Sequence, residues 1–364
     1  MHPYMTNSKQ ILSFLFILIL GCGSPQPRIG QETVTITDML GREVIVPVNI
    51  ERIVGLKAGA LRMLVYMGLT EKISGVEDVE RRPGRAYAFA QPQLTEKPII
   101  GPMHGGDAEL IAINAPDVIF MTNATIGEAN DLQRRTGIPV VVIQPGNLTN
   151  RRNDFNQSLK TIAAVTGTEA RADSLIHFID HQIEELNRLS AQSRKKTETV
   201  YAGGISYSGA RSITSTIPLF DAFLFVNAEN VASELALKSN LPLTIGSTVE
   251  IDIEQLITWN PDRIFIDAAG RELVQPQIAD GTPLHATLQA VQNNKIHFLM
   301  PHNWYSTNYE TILTNAWYVA SVLYPDAVTP QLFKEKSKTI YEYVLGNDVS
   351  EELIHMYNGW VCMQ

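Results

Sequence analysis

Apolar positions along the chain follow two periods, and each marks a different kind of element. Val34 to Asp38 and Val44 to Pro47 are short apolar-rich runs on either side of Leu40-Gly41-Arg42, a pattern that predicts an opening hairpin. Arg52 to Leu56 reads as a buried strand. Lys57-Ala58-Gly59 then turns into a helix with Leu61, Leu64 and Val65 on one face, closing near Gly68. Ile73 to Val76 follows as a strand, so the order strand, turn, helix, strand predicts a βαβ unit and a parallel sheet. Further strands are predicted at Val118 to Met121 and Val140 to Ile143.

The longest helical pattern runs from Thr168 to Gln192, with Leu175, Ile176, Ile179, Ile183, Leu186 and Leu189 along one face. At the rise of an α-helix it spans roughly 35 Å, about the width of a domain. Lys195-Lys196 closes it with charge suited to a helix C-terminus. Beyond it the α/β pattern restarts. Thr199 to Gly204 is a strand entering the loop Ile205 to Arg211, and helical stretches follow at Leu219 to Phe225 and Val231 to Leu235. Arg263 to Asp267 is a strand, Pro283 to Val291 a helix and Lys295 to Leu299 a strand. Thr307 and Glu310 predict a capping box for a helix whose apolar face is Ile312, Leu313, Ala316, Val319, Ala320 and Leu323. Pro330 to Met363 reads as one or two closing helices.

One stretch occurs twice. Asp107 to Phe120 aligns without a gap on Asp252 to Phe265, sharing the first Asp, the Glu at 109 and 254, the Pro-Asp pairs 116–117 and 261–262, and the closing Ile-Phe. Each copy predicts a short helix opened by acidic residues, which suit the positive end of the helix dipole, then a stop at proline and a buried strand. Two such units on either side of a long helix predict two lobes of similar build.

Composition adjusts this picture at the ends. The chain has 364 residues, 45% of them apolar, enough for two cores, and its net charge of −9 argues against nucleic acid as a partner. Ile11 to Leu20, broken only by Ser13 and preceded by Lys9, is too short to span a bilayer and suits a signal-peptide core. Ile19-Leu20-Gly21-Cys22 resembles a bacterial lipobox, which implies cleavage before Cys22, lipidation of its sulfur and a membrane anchor. Gly23 to Gln31 then reads as a flexible tether. With Cys22 lipidated, Cys362 has no disulfide partner, and cysteine-based metal clusters are excluded. The expected organisation is a signal peptide at 1–21, a lipidated tether at 22–33, an N-terminal lobe at 34–160, a connector helix at 161–196 and a C-terminal lobe at 197–364.

The chain from about Thr35 to Tyr343 resembles the substrate-binding lipoproteins of ABC importers for iron chelates and vitamin B12. The resemblance rests on Asp38-Met39-Leu40-Gly41-Arg42 with Arg52-Ile53-Val54, on the two repeats, and on Asn303-Trp304-Tyr305-Ser306-Thr307-Asn308 running into Ala316 to Pro325. The last segment resembles a metal-uptake subgroup. The resemblance implies two α/β lobes with mainly parallel sheets joined by one long helix, a ligand held between them, small lobe closure, and no catalysis by this chain. It also implies that Glu109 and Glu254 dock onto the two subunits of a permease, whose ATPase is another chain, and that the protein acts as a monomer. First-turn helix carboxylates are the plain alternative for both.

Open α/β sheets bind ligands at the carboxyl ends of their strands. That rule selects four loops: Lys57-Ala58-Gly59, Pro102 to Gly105, Ser206 to Arg211 and His302 to Tyr305. Imidazole and phenolate suit iron, which makes His104, Tyr207, His302 and Tyr305 candidate metal ligands from opposite walls. Trp304, Tyr305 and Tyr207 offer flat faces to a chelate. Arg211 and the Arg81-Arg82-Pro83-Gly84-Arg85 run offer guanidinium groups to its carboxylate or catecholate oxygens. Loop residues satisfied by the backbone, a packed Trp304 and a solvated arginine run are the alternatives. In related subgroups an aromatic residue is expected in place of His302. His177 and His181 stand one turn apart but off the apolar face of the connector, and read as surface residues. Gly204 to Ser208 lacks the final glycine of a nucleophile elbow, and no phosphate-loop pattern occurs. The expected function is capture of a ferric siderophore or haem, with no intrinsic cofactor; a corrinoid or nickel chelate, or a membrane-anchored sensor without transport, stand as alternatives.

Overall fold

A computed structural model of the protein describes residues 32–193, 198–207, 209–238 and 247–363. The predicted signal segment, Cys22, nearly all of the tether and Lys195-Lys196 lie outside the described residues. The opening hairpin forms from Thr33–Thr37 and Glu43–Pro47. Its turn explains the Asp38 to Arg42 motif. The Asp38 carboxylate accepts from the backbone N–H of Leu40 and Arg42, meets the Arg42 guanidinium at 2.7 Å, and accepts from Val142 N at 3.1 Å. One buried acid therefore closes the turn and fastens the hairpin to the strand Val140–Ile143.

Two separate sheets follow, one per lobe. Ile53–Leu56, Val118–Thr122 and Val140–Ile143 pair in that order, all parallel. The second sheet runs Val361–Cys362, Ile296–Leu299, Arg263–Asp267, Thr199–Gly203, Glu229–Asn230, parallel except for the antiparallel edge Val361–Cys362. Parallel sheets require both faces covered, and the four-residue strand Ile53–Leu56 is buried at every position. The connector helix Glu169–Gln192 has 24 residues, roughly 36 Å at the rise of an α-helix. Leu175, Ile179 and Leu186 bury its inner face, while His177 and His181 are exposed as read.

The repeat has a structural counterpart in each lobe. Ala108–Asn114 and Ile253–Trp259 are the two short helices, and each ends on a left-handed residue, Ala115 and Asn260, just before proline. The Asp after that proline ties its strand to the next one. Asp117 Oδ2 accepts from Glu51 N and Arg52 N at 2.9 Å, at the entrance of Ile53–Leu56. Asp262 Oδ2 accepts from Thr199 N and Oγ1 at 2.9 Å, at the entrance of Thr199–Gly203. The copies differ at their first acid: Asp107 caps its helix through Glu109 N and Leu110 N, and Asp252 makes no such bond.

Several local expectations are corrected. Thr307 and Glu310 form no capping box. The helix Tyr309–Leu323 starts after Asn308, and Glu310, 1% exposed, turns inward to accept a hydrogen bond from Tyr66 Oη. A solvent-facing cap is impossible on a helix buried almost all round. Pro283 to Val291 is two short helices, Pro283–Thr287 and Gln289–Gln292, because Leu288 adopts an extended conformation between them. Ile73 to Val76 makes only isolated parallel bridges, Ile53 to Ile73 and Val76 to Ile99. Leu219 to Phe225 shortens to Asp221–Leu224. Arg85, expected on a solvated or ligand-facing loop, is fully buried: it pairs with Glu80 at 3.2 Å and lies over the Trp304 ring at 4.6 Å.

The helix Pro330–Leu345 returns across the molecule. Its Leu345 carbonyl accepts from Gln91 Nε2 at 2.7 Å and its Tyr343 carbonyl from Arg171 at 2.7 Å. Asp117→Ala and Asp262→Ala are each expected to lower stability by roughly 1–3 kcal/mol, the usual cost of orphaning backbone donors. Because the two sites lie in different lobes, the double variant should show the sum. Urea unfolding of the three variants checks this; a loss in only one lobe contradicts the matched role of the two acids.

Candidate functional site

The carboxyl ends of strands from both sheets converge between the lobes, and side chains meet across the gap. Tyr305 Oη donates to Glu77 Oε2 at 2.7 Å and accepts from His104 N at 2.9 Å. The His104 and Tyr305 rings lie 5.4 Å apart. Glu77 also accepts from Lys57 N at 3.2 Å and Gly105 N at 2.7 Å through its other oxygen. One carboxylate, 2% exposed, thus gathers three of the four predicted loops. Burial raises its pKa, against the hydrogen bonds from Tyr305, Gly105 and Lys57. The neighbouring backbone is strained: Lys57, His104, Tyr305 and Ser306 all have positive φ without being glycine, a feature concentrated at functional sites.

The predicted residues fall into separate settings. The Lys57 ammonium is engaged at 2.9 Å by Glu128, the capping-box acid of the helix Ile126–Thr136. Trp304 is half-buried under Arg85, while its carbonyl accepts from Arg62 at 2.8 Å. Gly84 sits against this ring; at φ +106 a Cβ there would come within 2.3 Å of Tyr357 Oη. Tyr207 is 58% exposed and its carbonyl accepts from the exposed Arg211. His302 is buried beside Phe220, with ring centroids 5.4 Å apart. Among the described residues no hydrogen bond or ring contact joins His104, Tyr207 and His302, and no group of three or more His, Cys, Asp or Glu is arranged to hold a metal ion.

A cavity of about 150 Å³ lies between the lobes. Gly146, Asn147 and Arg151 form one wall; Ile205, Ile217, Asp221 and Thr248 form another; His302, Asn303, Thr307 and Ile312 complete it. Contacts between the walls fix its shape. Thr149 Oγ1 donates to Asp221 Oδ1 at 2.9 Å, Asn303 Nδ2 to the Ser206 carbonyl at 3.4 Å, and Tyr309 Oη to the Pro145 carbonyl at 2.7 Å. Burial lowers the His302 pKa to about 4, so near neutral pH its imidazole is uncharged and presents one N–H donor. Burial raises the Asp221 pKa to about 6, despite the Thr149 hydrogen bond. Arg151 belongs to the lining, and its exposed guanidinium pairs with Asp154 at 2.9 Å. The chemistry is that of a small polar chamber lined by one arginine, one uncharged histidine and one buried acid.

Sequence reasoning reached His302 but missed Asn147, Arg151, Asp221 and Glu77. Asn147 was within its reach. The rule on strand ends, applied to Val140–Ile143 as to the others, leads directly to Gln144 to Asn147. Glu77 and Asp221 belong to no motif: Glu77 is one of three acids in Glu77-Asp78-Val79-Glu80 and Asp221 a single acid in an apolar run, and the burial of each depends on the other lobe or on a distant loop. Glu109 and Glu254 are exposed on the first turns of the repeat helices, with no ion pair among the described residues. Leu110 and Ile113 beside Glu109, and Ile253 beside Glu254, are apolar and exposed. No helix among the described residues is long and apolar enough to cross a membrane.

Known proteins share this architecture. The chain is 27% identical over 314 residues to the molybdate-binding protein MolA of Haemophilus influenzae, covering 80% of this chain and 84% of the relative. The molybdate-bound structure of that protein is similar at a TM-score of 0.64 and 22% identity, covering 86% of this chain and 98% of that one. A periplasmic solute binding protein of Veillonella parvula is similar at a TM-score of 0.67 with 17% identity, covering 90% and 97%. The Ni(II)-bound CeuE of Helicobacter pylori is similar at 0.59 with 14% identity, covering 89% and 99%. The periplasmic binding protein family matches residues 53–302, from the first strand of the N-terminal sheet to the histidine in the cavity wall. The chain therefore belongs to the periplasmic binding protein family, as an exported solute-binding protein of an ABC transporter.

Proposed function

We propose that this protein captures a small tetrahedral oxyanion of the molybdate class in the interlobe cavity and delivers it to an ABC permease. The observation that carries this reading is the cavity's size and lining together. At about 150 Å³ it is well below the roughly 300–1,000 Å³ of sites for drug-sized ligands, and a haem or siderophore is at least that large. Its lining includes Asn147, Arg151, Thr248, His302, Asn303 and Thr307, residues of donor type, with the Asn147 and Asn303 amides also donating to Asn150 Oδ1 at 2.8 Å and to the Ser206 carbonyl at 3.4 Å. Donor-type residues with one arginine suit an anion, whose hydration shell they replace, when the Asp221 carboxyl in the same wall carries a proton. The molybdate-binding relative supports the same class.

A ferric siderophore or haem is the second reading, favoured by one observation. Tyr207 and Arg211 are exposed on a loop at the strand ends, where a flat chelate would stack and pair outside the cavity. In that reading His104, Tyr305 and Trp304 would form the facing wall. Delivery in either case uses Glu109 and Glu254 as paired contacts to the permease subunits, and Cys22 as the lipidated anchor. An exposed ion pair contributes only about 0.2–1 kcal/mol, so the two acids set orientation more than affinity.

Calorimetric titration of the protein lacking residues 1–21, with Cys22→Ser, is expected to show molybdate or tungstate binding at micromolar Kd or tighter, about −8 kcal/mol. Haem, ferric siderophore and nickel chelates should not bind. Arg151→Ala should weaken oxyanion binding roughly tenfold or more, the worth of a charge-assisted hydrogen bond. Chelate binding with oxyanions inert would transfer the assignment to the second reading. Glu109→Ala combined with Glu254→Ala should leave Kd unchanged and reduce uptake by cells carrying the permease at least tenfold; undiminished uptake removes the docking role.

A further inference from the structure

The cavity wall contains a group that an anion site has reason to avoid. Asp221 is 4% exposed, opens the short helix Asp221–Leu224, and faces the same chamber as Arg151, Asn147 and His302. A fully ionised oxyanion has no hydrogen to offer a carboxylate. Two negative charges a few ångströms apart in a buried chamber repel strongly, so one must be neutralised. We infer that Asp221 makes ligand capture proton-linked: the cavity closes on an ionised oxyanion with a proton on the Asp221 carboxyl, which donates that hydrogen to a ligand oxygen. This rests on the oxyanion reading above and adds how the site selects the charge state of its ligand. One proton is taken from solvent per ligand bound, and no covalent bond is made or broken.

The surroundings of Asp221 allow this. From the segment 145–151, Thr149 donates to Oδ1 at 2.9 Å and Arg151 lies in the cavity wall. From the segment before the helix Tyr309–Leu323 comes His302, uncharged above about pH 4. From that helix comes Tyr309, whose buried phenol is held above its ordinary range, in part by Asp221 itself. Arg151 is thus the only group among these that is positive near neutral pH, and Asp154 already shares it. Burial sets the Asp221 carboxyl at about 6 before any ligand arrives. A bound anion raises it further.

The sign follows from linkage. A group whose pKa rises on binding strengthens binding as pH falls, and above its free value of about 6 each pH unit weakens capture by up to roughly tenfold. Below that value the carboxyl is already protonated and the affinity levels off. The same carboxyl discriminates between ligands. An oxyanion that keeps a hydrogen near neutral pH, such as hydrogen phosphate, can donate to ionised Asp221 and should show little of this pH dependence.

The test is calorimetric titration with micromolar molybdate and tungstate from pH 5.5 to 8, in two buffers of different ionisation enthalpy. Wild type is expected to weaken by tenfold or more between pH 6 and 8 and to take up close to one proton at pH 7.5. Asp221→Asn, which keeps a donor and cannot ionise, should lose the slope and bind at least tenfold more tightly than wild type at pH 8. Thr149→Val removes the hydrogen bond that holds the ionised form, so its slope should begin at higher pH; this variant serves if Asp221→Asn fails to fold. Oxyanion binding with no slope and no proton uptake in wild type, or an unchanged slope in Asp221→Asn, overturns the inference and leaves the oxyanion reading intact. No oxyanion binding at any pH overturns both.

Discussion

The segment that carries much of the cavity wall is held across the lobes by Arg62. Its side chain, 1% exposed, extends from the first helix of the N-terminal lobe, and its guanidinium donates to the carbonyls of Trp304 and Thr307 at 2.8 Å. The same helix supplies Tyr66, which donates to the buried Glu310 carboxylate. Burial raises the Glu310 pKa and Arg62 opposes that shift, so acid and guanidinium make each other's burial tolerable. The result is that residues 302–310, which carry His302, Asn303, Tyr305 and Thr307, are nailed to the lobe opposite the sheet they emerge from. Removing one partner of such a buried arrangement costs about 3–5 kcal/mol, because a charge is left without compensation. The binding wall is therefore rigid for the same reason that the lobes stay together.

That rigidity shapes what the site can be. A chamber of about 150 Å³ whose walls are tied by Thr149 to Asp221 and by Tyr309 to the 145 carbonyl has little freedom to swell. Its walls are polar on several sides, and its aromatic neighbours are used elsewhere. Trp304 is covered by Arg85 and Tyr305 is held by Glu77, so neither ring offers a free stacking face to the chamber. Size, donors and the shortage of open aromatic surface favour a compact anion over a flat chelate. Around the chamber, Arg171 of the connector helix donates to the Tyr66 carbonyl of the first helix and to the Tyr343 carbonyl of the returning helix Pro330–Leu345, so three helices are tied at one guanidinium.

Much of this architecture was legible in the sequence because it rests on local signals. The hairpin, the connector helix and the doubled helix-proline-strand unit each follow from periodicity, turn residues and the placement of acids. The repeat also held more than it disclosed: Asp117 and Asp262 look like routine loop acids, yet each fastens the start of the neighbouring strand. Glu310 was misread for a complementary reason. Its spacing from Thr307 fits a capping box, but a local motif loses to tertiary burial when a whole helix is enclosed. The site was legible only in part. His302 lies at a strand end and announces itself by residue type. Asp221 and Glu77 sit in no motif, and their meaning comes from partners 72 and 228 positions away in sequence, Thr149 and Tyr305.

The proposed ligand, a small oxyanion, would lodge among Asn147, Arg151, Asp221 and His302. The most direct measurement is a crystal structure of the protein grown with molybdate, with the heavy atom located by anomalous scattering. One molybdenum peak is expected inside the chamber, its oxygens within hydrogen-bond distance of the Asn147, His302 and Asp221 side chains. A peak outside it, on the rim beside Tyr207 and Arg211, or no peak under conditions where calorimetry shows binding, would contradict this placement.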